Sequence, residues 1–184
     1  IGGYVPEYVL TNAELETMVE TNDEWITTRT GIKERRILKP EEGRGASYLA
    51  IKAVEAMKAE YGVSVEDVDL VILASVTGDM PVAITSAYIA QEIGAKNAYA
   101  YDLQAACSSF LYAVSNAAAY IESGKYKKVL VVGSDVMSSI VDYTDRTTCI
   151  LFGDGCGVAL MEPNDEGLGV QDEILRTDAT GRDF

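Results

Sequence analysis

The stretch Tyr99-Ala-Tyr-Asp-Leu-Gln-Ala-Ala-Cys107-Ser-Ser-Phe-Leu-Tyr-Ala113 reads as a strand running into a helix. Residues 98–103 carry the strand pattern. Residues 110–122 carry the helix pattern and are closed by Ser123-Gly124, a helix-stop signal. Cys107 falls at the join. On the first turn of a helix, unpaired backbone N–H groups and the positive dipole end favour a nucleophilic sulfur. The same N–H groups, that of Cys107 among them, suit a developing oxyanion on an acyl group under attack. The plain alternative is a core cysteine packed with Ala105 and Ala106, since free cysteine is among the most buried residue types.

The same rhythm continues on either side. Val68-Asp-Leu-Val-Ile-Leu-Ala-Ser-Val76 and Lys128-Val-Leu-Val-Val-Gly-Ser134 are nearly unbroken apolar runs of strand length, as expected for strands covered on both faces. A helix is expected over residues 46–61, with Leu49, Ala53, Ala56 and Met57 on one face and Gly62 as its stop. Another is expected over residues 83–93, ending at Gly94. Residues 40–45 read as a loop and residues 77–82 as a turn. This βαβαβ succession implies an α/β fold whose largely parallel sheet lies between helix layers. Residues 149–152 and 156–161 flank Gly153-Asp154-Gly155, a tight-hairpin signal that predicts an antiparallel last strand. At the other end, residues 1–4 form a strand tail. Thr11 or Asn12 caps a short helix whose apolar stripe is Leu15, Met18 and Val19. Beyond Glu162 the chain is polar and Gly-rich, so residues 1–162 are read as one unit and residues 163–184 as the start of a connection.

Composition narrows the class. The 184 residues are 48% hydrophobic and 24% charged, which suits a soluble globular domain. Fifteen basic against 29 acidic residues give a net charge of −14, which argues against nucleic acid or an anionic membrane as a general partner. No apolar run reaches the roughly 18 residues of a membrane span. The chain opens at Ile1 in a strand-like segment without a basic-then-apolar leader, so a cytoplasmic location is expected, with a few residues missing in front. Cys107, Cys149 and Cys156 have no metal-like spacing and histidine is absent, so neither a zinc site nor a disulfide framework is expected.

A second constellation is Asn22-Asp-Glu-Trp25-Ile-Thr-Thr-Arg29-Thr30-Gly-Ile-Lys33-Glu-Arg35-Arg36, in which the only tryptophan lies near four basic residues. An indole and a guanidinium can sandwich a purine while nearby cations meet phosphates. The plain alternative is a tryptophan at a core edge beside solvated charges.

Both constellations resemble one family. Asp102-Leu-Gln-Ala-Ala-Cys-Ser-Ser-Phe110 is similar to the nucleophile segment of thiolase-fold condensing enzymes, where a cysteine carries the acyl group. The Trp25 segment, Val132-Gly-Ser-Asp135, Asp145-Arg146 and Phe152-Gly-Asp-Gly-Cys-Gly157 resemble the β-ketoacyl-ACP synthase III family in the family's own order. The resemblance implies a thiolase-like α/β fold, with a mixed, mostly parallel five-stranded sheet covered by helices. The chain would be the first half of a duplicated α-β-α-β-α architecture. It implies Cys107 as nucleophile, with Trp25, Arg29 and Thr30 contacting the adenine end of coenzyme A and Arg146 facing the tryptophan across the adenine. The substrates implied are an acyl-CoA and malonyl-acyl carrier protein, the assembly a homodimer, and no metal or redox cofactor is called for.

This sequence departs from the family in places. Ser109 and Thr147 stand where many members carry glycine, and residues 77–84, around the acyl pocket, do not align cleanly. The family's second half supplies a histidine and an asparagine that activate malonyl, and this chain has no histidine. The tryptophan signature disfavours 3-hydroxy-3-methylglutaryl-CoA synthase and chalcone-synthase-like relatives. An acyltransferase making an ester or amide, and a non-catalytic dimerisation half, stand as alternatives.

Overall fold

The structure, a computed structural model, describes residues 1–39 and 45–181; of the loop expected over residues 40–45, only Gly45 falls among them. The chain runs β1 (Gly2–Tyr4), β2 (Tyr8–Thr11), α1 (Asn12–Leu15), α2 (Asp23–Thr30), β3 (Glu34–Ile37) and α3 (Ala46–Tyr61). It continues through β4 (Leu70–Ala74), α4 (Thr85–Glu92), β5 (Tyr99–Leu103), α5 (Ser109–Glu122), β6 (Val129–Val136) and β7 (Asp154–Met161). Single 3-10 turns precede α5 and follow β6.

Five strands form one sheet in the order β1-β7-β6-β4-β5. The central strand β4 pairs in parallel with β5 and with β6, Leu70 lying opposite both Tyr99 and Val129. All five β4 residues are buried, the consequence of neighbours on both edges and helices on both faces. Its alternation divides the core. Val71 and Leu73 join Leu130, Val132 and Val158 under α3 and α4. Leu70, Ile72 and Ala74 join Val129 and Val131 under Ala113 and Ala117 of α5. Each buried Leu, Ile or Val contributes about 1.5–3 kcal/mol of transfer free energy, so this two-sided burial dominates the stability of the sheet.

β7 is antiparallel to both β6 and β1, so four strands run one way and the last runs against them, as the sequence implied. It does not arise from a hairpin. Residues 149–151 form turns, and Gly153-Asp154-Gly155 leads into and begins β7 itself. The glycines that suggested a hairpin instead permit close approach, since a Cβ on Gly153 would lie 3.1 Å from the backbone oxygen of Arg36. A second, two-stranded antiparallel ladder, β2 with β3, was not visible in the sequence pattern.

The helices follow their expected bounds with local corrections. α3 ends at Gly62, whose φ of 65° is left-handed and suits a residue without Cβ. Its buried face is Leu49, Ala50, Ala53, Val54 and Met57, whereas Ala56 is exposed. α1 is a single turn capped by the Thr11 hydroxyl, which accepts the Glu14 N–H. Met18 lies beyond it and is exposed. Gly133 in β6 makes room for α5: a Cβ there would stand 2.8 Å from a ring carbon of Phe110.

Candidate active site

Cys107 lies in the 3-10 turn Ala106–Ser108, immediately before α5, one step earlier than the first helical turn the sequence suggested. Its side chain is exposed, so the core-cysteine alternative fails. The turn is tight because Ala106 takes φ 48°, the one non-glycine residue with positive φ among the described residues. L-residues enter that region reluctantly. The Ser108 N–H donates to the Ala105 carbonyl at 3.1 Å. The Ala105 N–H donates to Ser109 Oγ at 2.5 Å. The other thiols differ. Cys149 and Cys156 are buried, and burial raises both thiol pKa values, that of Cys156 to about 12.

Three aspartates that the sequence reading did not single out anchor residues 75–86. Asp102, in the strand that delivers Cys107, accepts the N–H groups of Thr85 and Ser86 at 2.8 and 2.9 Å. It therefore caps α4 in place of Ile84, which offers no side-chain acceptor. Asp135, at the end of β6, accepts the N–H groups of Val76 and Thr77 and the hydroxyls of Ser75 and Thr77. Asp79 accepts the Ser47 N–H at the start of α3. Residues 75–86, which include the poorly aligning stretch 77–84, are thus tied to β6, α3 and β5 by carboxylates. Asp102 and Asp135 sit inside the quoted motifs, and their position one residue from a strand end was the available signal.

Trp25 stands half-buried on α2, a helix capped by Asn22, whose side chain accepts the Trp25 N–H, and ended by Gly31. The Arg29 guanidinium lies 4.4 Å from the indole centroid, one helical turn on. Arg146 reaches the same ring from the far end of the sequence, at 5.3 Å, while donating to the Glu20 carbonyl at 3.0 Å. Two cations on one indole form a stacking platform for a planar, anionic ligand. The structure brings Trp25, Arg29 and Arg146 together. Thr30 is turned into the end of its own helix, donating to the Ile26 carbonyl and accepting the Ile32 N–H. Arg35 is buried and donates to Asn12 Oδ1 and the Ile150 carbonyl, a structural tie. Cys107 belongs to a different part of the fold, the join of β5 and α5.

The loop bearing Arg146 is shaped by its own side chains. Asp142 accepts the Thr144 N–H and hydroxyl, and Asp145 accepts the Thr147 hydroxyl and N–H, which holds both carboxyls below the usual range. Threonine at position 147 therefore has a local use. Among the described residues no group of three His, Cys, Asp or Glu is placed to hold a metal ion, and no helix is long and apolar enough to cross a membrane.

A helix-covered mixed sheet with an exposed cysteine where β5 meets α5 is the arrangement that a thiolase-like fold implies. Solved structures agree. The β-ketoacyl-ACP synthase III of Thermus thermophilus superposes with a TM-score of 0.94 at 44% identity, over 99% of this chain and 56% of that one. The 3-oxoacyl-ACP synthase III of Aquifex aeolicus gives 0.85 at 45% identity, over 90% and 53%. At 18% identity and a TM-score of 0.74, OleA of Xanthomonas campestris shares the fold alone. A β-ketoacyl-ACP synthase III of Bacteroides thetaiotaomicron is 54% identical over 184 residues, all of this chain and 55% of the relative. Residues 101–179 match the family model of 3-oxoacyl-ACP synthase III. The chain is similar to members of that family along its whole length, and it spans about half the length of the curated relatives it matches.

Proposed function

We propose that the chain is the nucleophile-bearing half of a β-ketoacyl-ACP synthase III, the condensing enzyme that starts type II fatty acid synthesis. Residues 1–162 would form the thiolase-like half and residues 163–184 the start of the connection to the rest. One observation carries the reading: an exposed cysteine, Cys107, on a strained turn between β5 and α5, in a chain 54% identical to a synthase III. Cys107 Sγ attacks the carbonyl carbon of an acyl-CoA, the carbon–sulfur bond to coenzyme A breaks, and the coenzyme leaves with the electron pair and takes a proton. The acyl group then rests on Cys107 as a thioester, which separates acyl capture from carbon–carbon bond formation. Malonyl-ACP loses carbon dioxide, and its enolate carbon attacks the acyl carbon and releases the cysteine sulfur.

Trp25, Arg29 and Arg146 are assigned to the nucleotide end of coenzyme A, with Thr30 holding the end of α2 and, through it, the indole. The Cys107 N–H is assigned as one oxyanion donor. Donors for the malonyl enolate would come from outside these residues. The enzyme is further proposed to work in the cytoplasm as a homodimer and to need no metal or redox cofactor. The experiment is to express the full-length protein that carries this chain, trap it with acyl-CoA, and map the added mass. Malonyl-ACP is then supplied and the products identified. Acyl mass on Cys107 followed by 3-ketoacyl-ACP is the expected result. An ester or amide product without decarboxylation would favour the acyltransferase alternative and overturn this one.

A further inference from the structure

The turn that presents Cys107 is held in a conformation its sequence does not favour. Ala106 lies at φ 48°, where only glycine is at ease. Such strain persists only where the surroundings over-determine it. Two hydrogen bonds do so here. One is a backbone bond from the Ser108 N–H to the Ala105 carbonyl. The other depends on a single side chain: Ser109 Oγ accepts the Ala105 N–H at 2.5 Å. Ser109 is 3% exposed, whereas its neighbour Ser108 is exposed and caps nothing. Residue 105 precedes the strained residue and residue 109 follows Cys107, so this bond ties the two flanks of the turn together. Glycine or alanine at position 109 has no acceptor to offer.

We infer that Ser109 is a positioning residue for Cys107, fixing through the Ala105 N–H the direction of Cys107 Sγ and of the turn's own N–H groups. The inference rests on the reading of Cys107 as the acyl-accepting thiol. Ser109 touches no reacting atom, and acyl-CoA is held by other residues. Its loss therefore acts on the rate at saturation and spares the saturating concentration. A misplacement of about 1 Å can cost on the order of 100-fold in such a step.

The test uses the full-length protein carrying this chain, with variants S109A, S109G and S109T. Single-turnover acylation at saturating acyl-CoA is expected to slow about 10- to 100-fold in S109A and S109G. Half-saturation stays within about twofold. Alkylation of Cys107 by iodoacetamide, with no acyl-CoA present, slows in the same order. S109T keeps the acceptor and stays near the parent. Parent-like acylation and alkylation in S109A or S109G overturn the inference. So does a lowered melting temperature with an unchanged rate per folded molecule, or a threonine variant as slow as the alanine one. If S109A does not fold, S109G carries the same comparison. A parent protein that takes no acyl group counts against the proposed function, while the alkylation rates still judge Ser109.

Discussion

At the scale of single residues, accessibility separates the three thiols. Cys107 is exposed, whereas Cys149 and Cys156 are buried with their thiols pushed up by desolvation. Limiting iodoacetamide followed by peptide mapping should therefore modify Cys107 first, and modification led by Cys149 would contradict the structure. The indole platform gives a second residue-level expectation. A partly desolvated cation–π contact is worth about 1–2 kcal/mol, so Arg29→Ala or Arg146→Ala should raise the acyl-CoA concentration for half-saturation by roughly tenfold. Unchanged saturation in both variants would remove these residues from the nucleotide end. The strand-to-helix join that carries Cys107 was legible because the two patterns meet there, whereas the choice of Cys107 over a core cysteine came from the family resemblance. Ser109 was visible as a departure, yet its purpose was not. A side-chain oxygen reaching back four residues around a left-handed alanine depends on backbone angles that no residue pattern records.

At the scale of elements, helices and buried strands were readable because their apolar positions repeat. α3 spans the expected residues, and β4 is buried throughout. Elements held by polar ties were not. The β2–β3 ladder places Arg35 and Arg36 opposite Leu10 and Val9, and a buried arginine erases the apolar alternation that would have announced a strand. The hairpin signal at residues 153–155 failed because β7 pairs with strands distant from its own turn. α4 also depends on a partner remote in sequence, since its first N–H groups are capped by Asp102 of β5. Asp102→Ala should lower stability by about 1–2 kcal/mol, the usual range for a lost cap. Chemical denaturation of the full-length protein checks this; a loss below about 0.3 kcal/mol would mean that solvent replaces the carboxylate. Because β5 also delivers Cys107, the same variant should slow acylation, which a cap on an unrelated helix would leave alone.

At the scale of the whole molecule, the sequence holds Cys107 and no histidine. Decarboxylating malonyl develops an enolate that needs a positioned donor, and losing such a donor typically costs about 3–4 kcal/mol. Residues 1–184 alone should therefore give no measurable 3-ketoacyl-ACP from acyl-CoA and malonyl-ACP, and turnover near that of the full-length protein would show that the donors lie within this chain. The sheet order also has a consequence for how such a molecule is made. Of the five strands in this sheet β1 is made before the others, yet its partner is β7, which is made after them. Until residues 154–161 emerge, β1 has no ladder to join and one edge of β6 stands open. Local contacts form quickly and distant ones late, so the nascent chain carries β1 unpaired while the roughly 150 residues between it and β7 are made. A ribosome stalled before residue 154 holds a chain whose β1 is still open to proteases and to foreign edges.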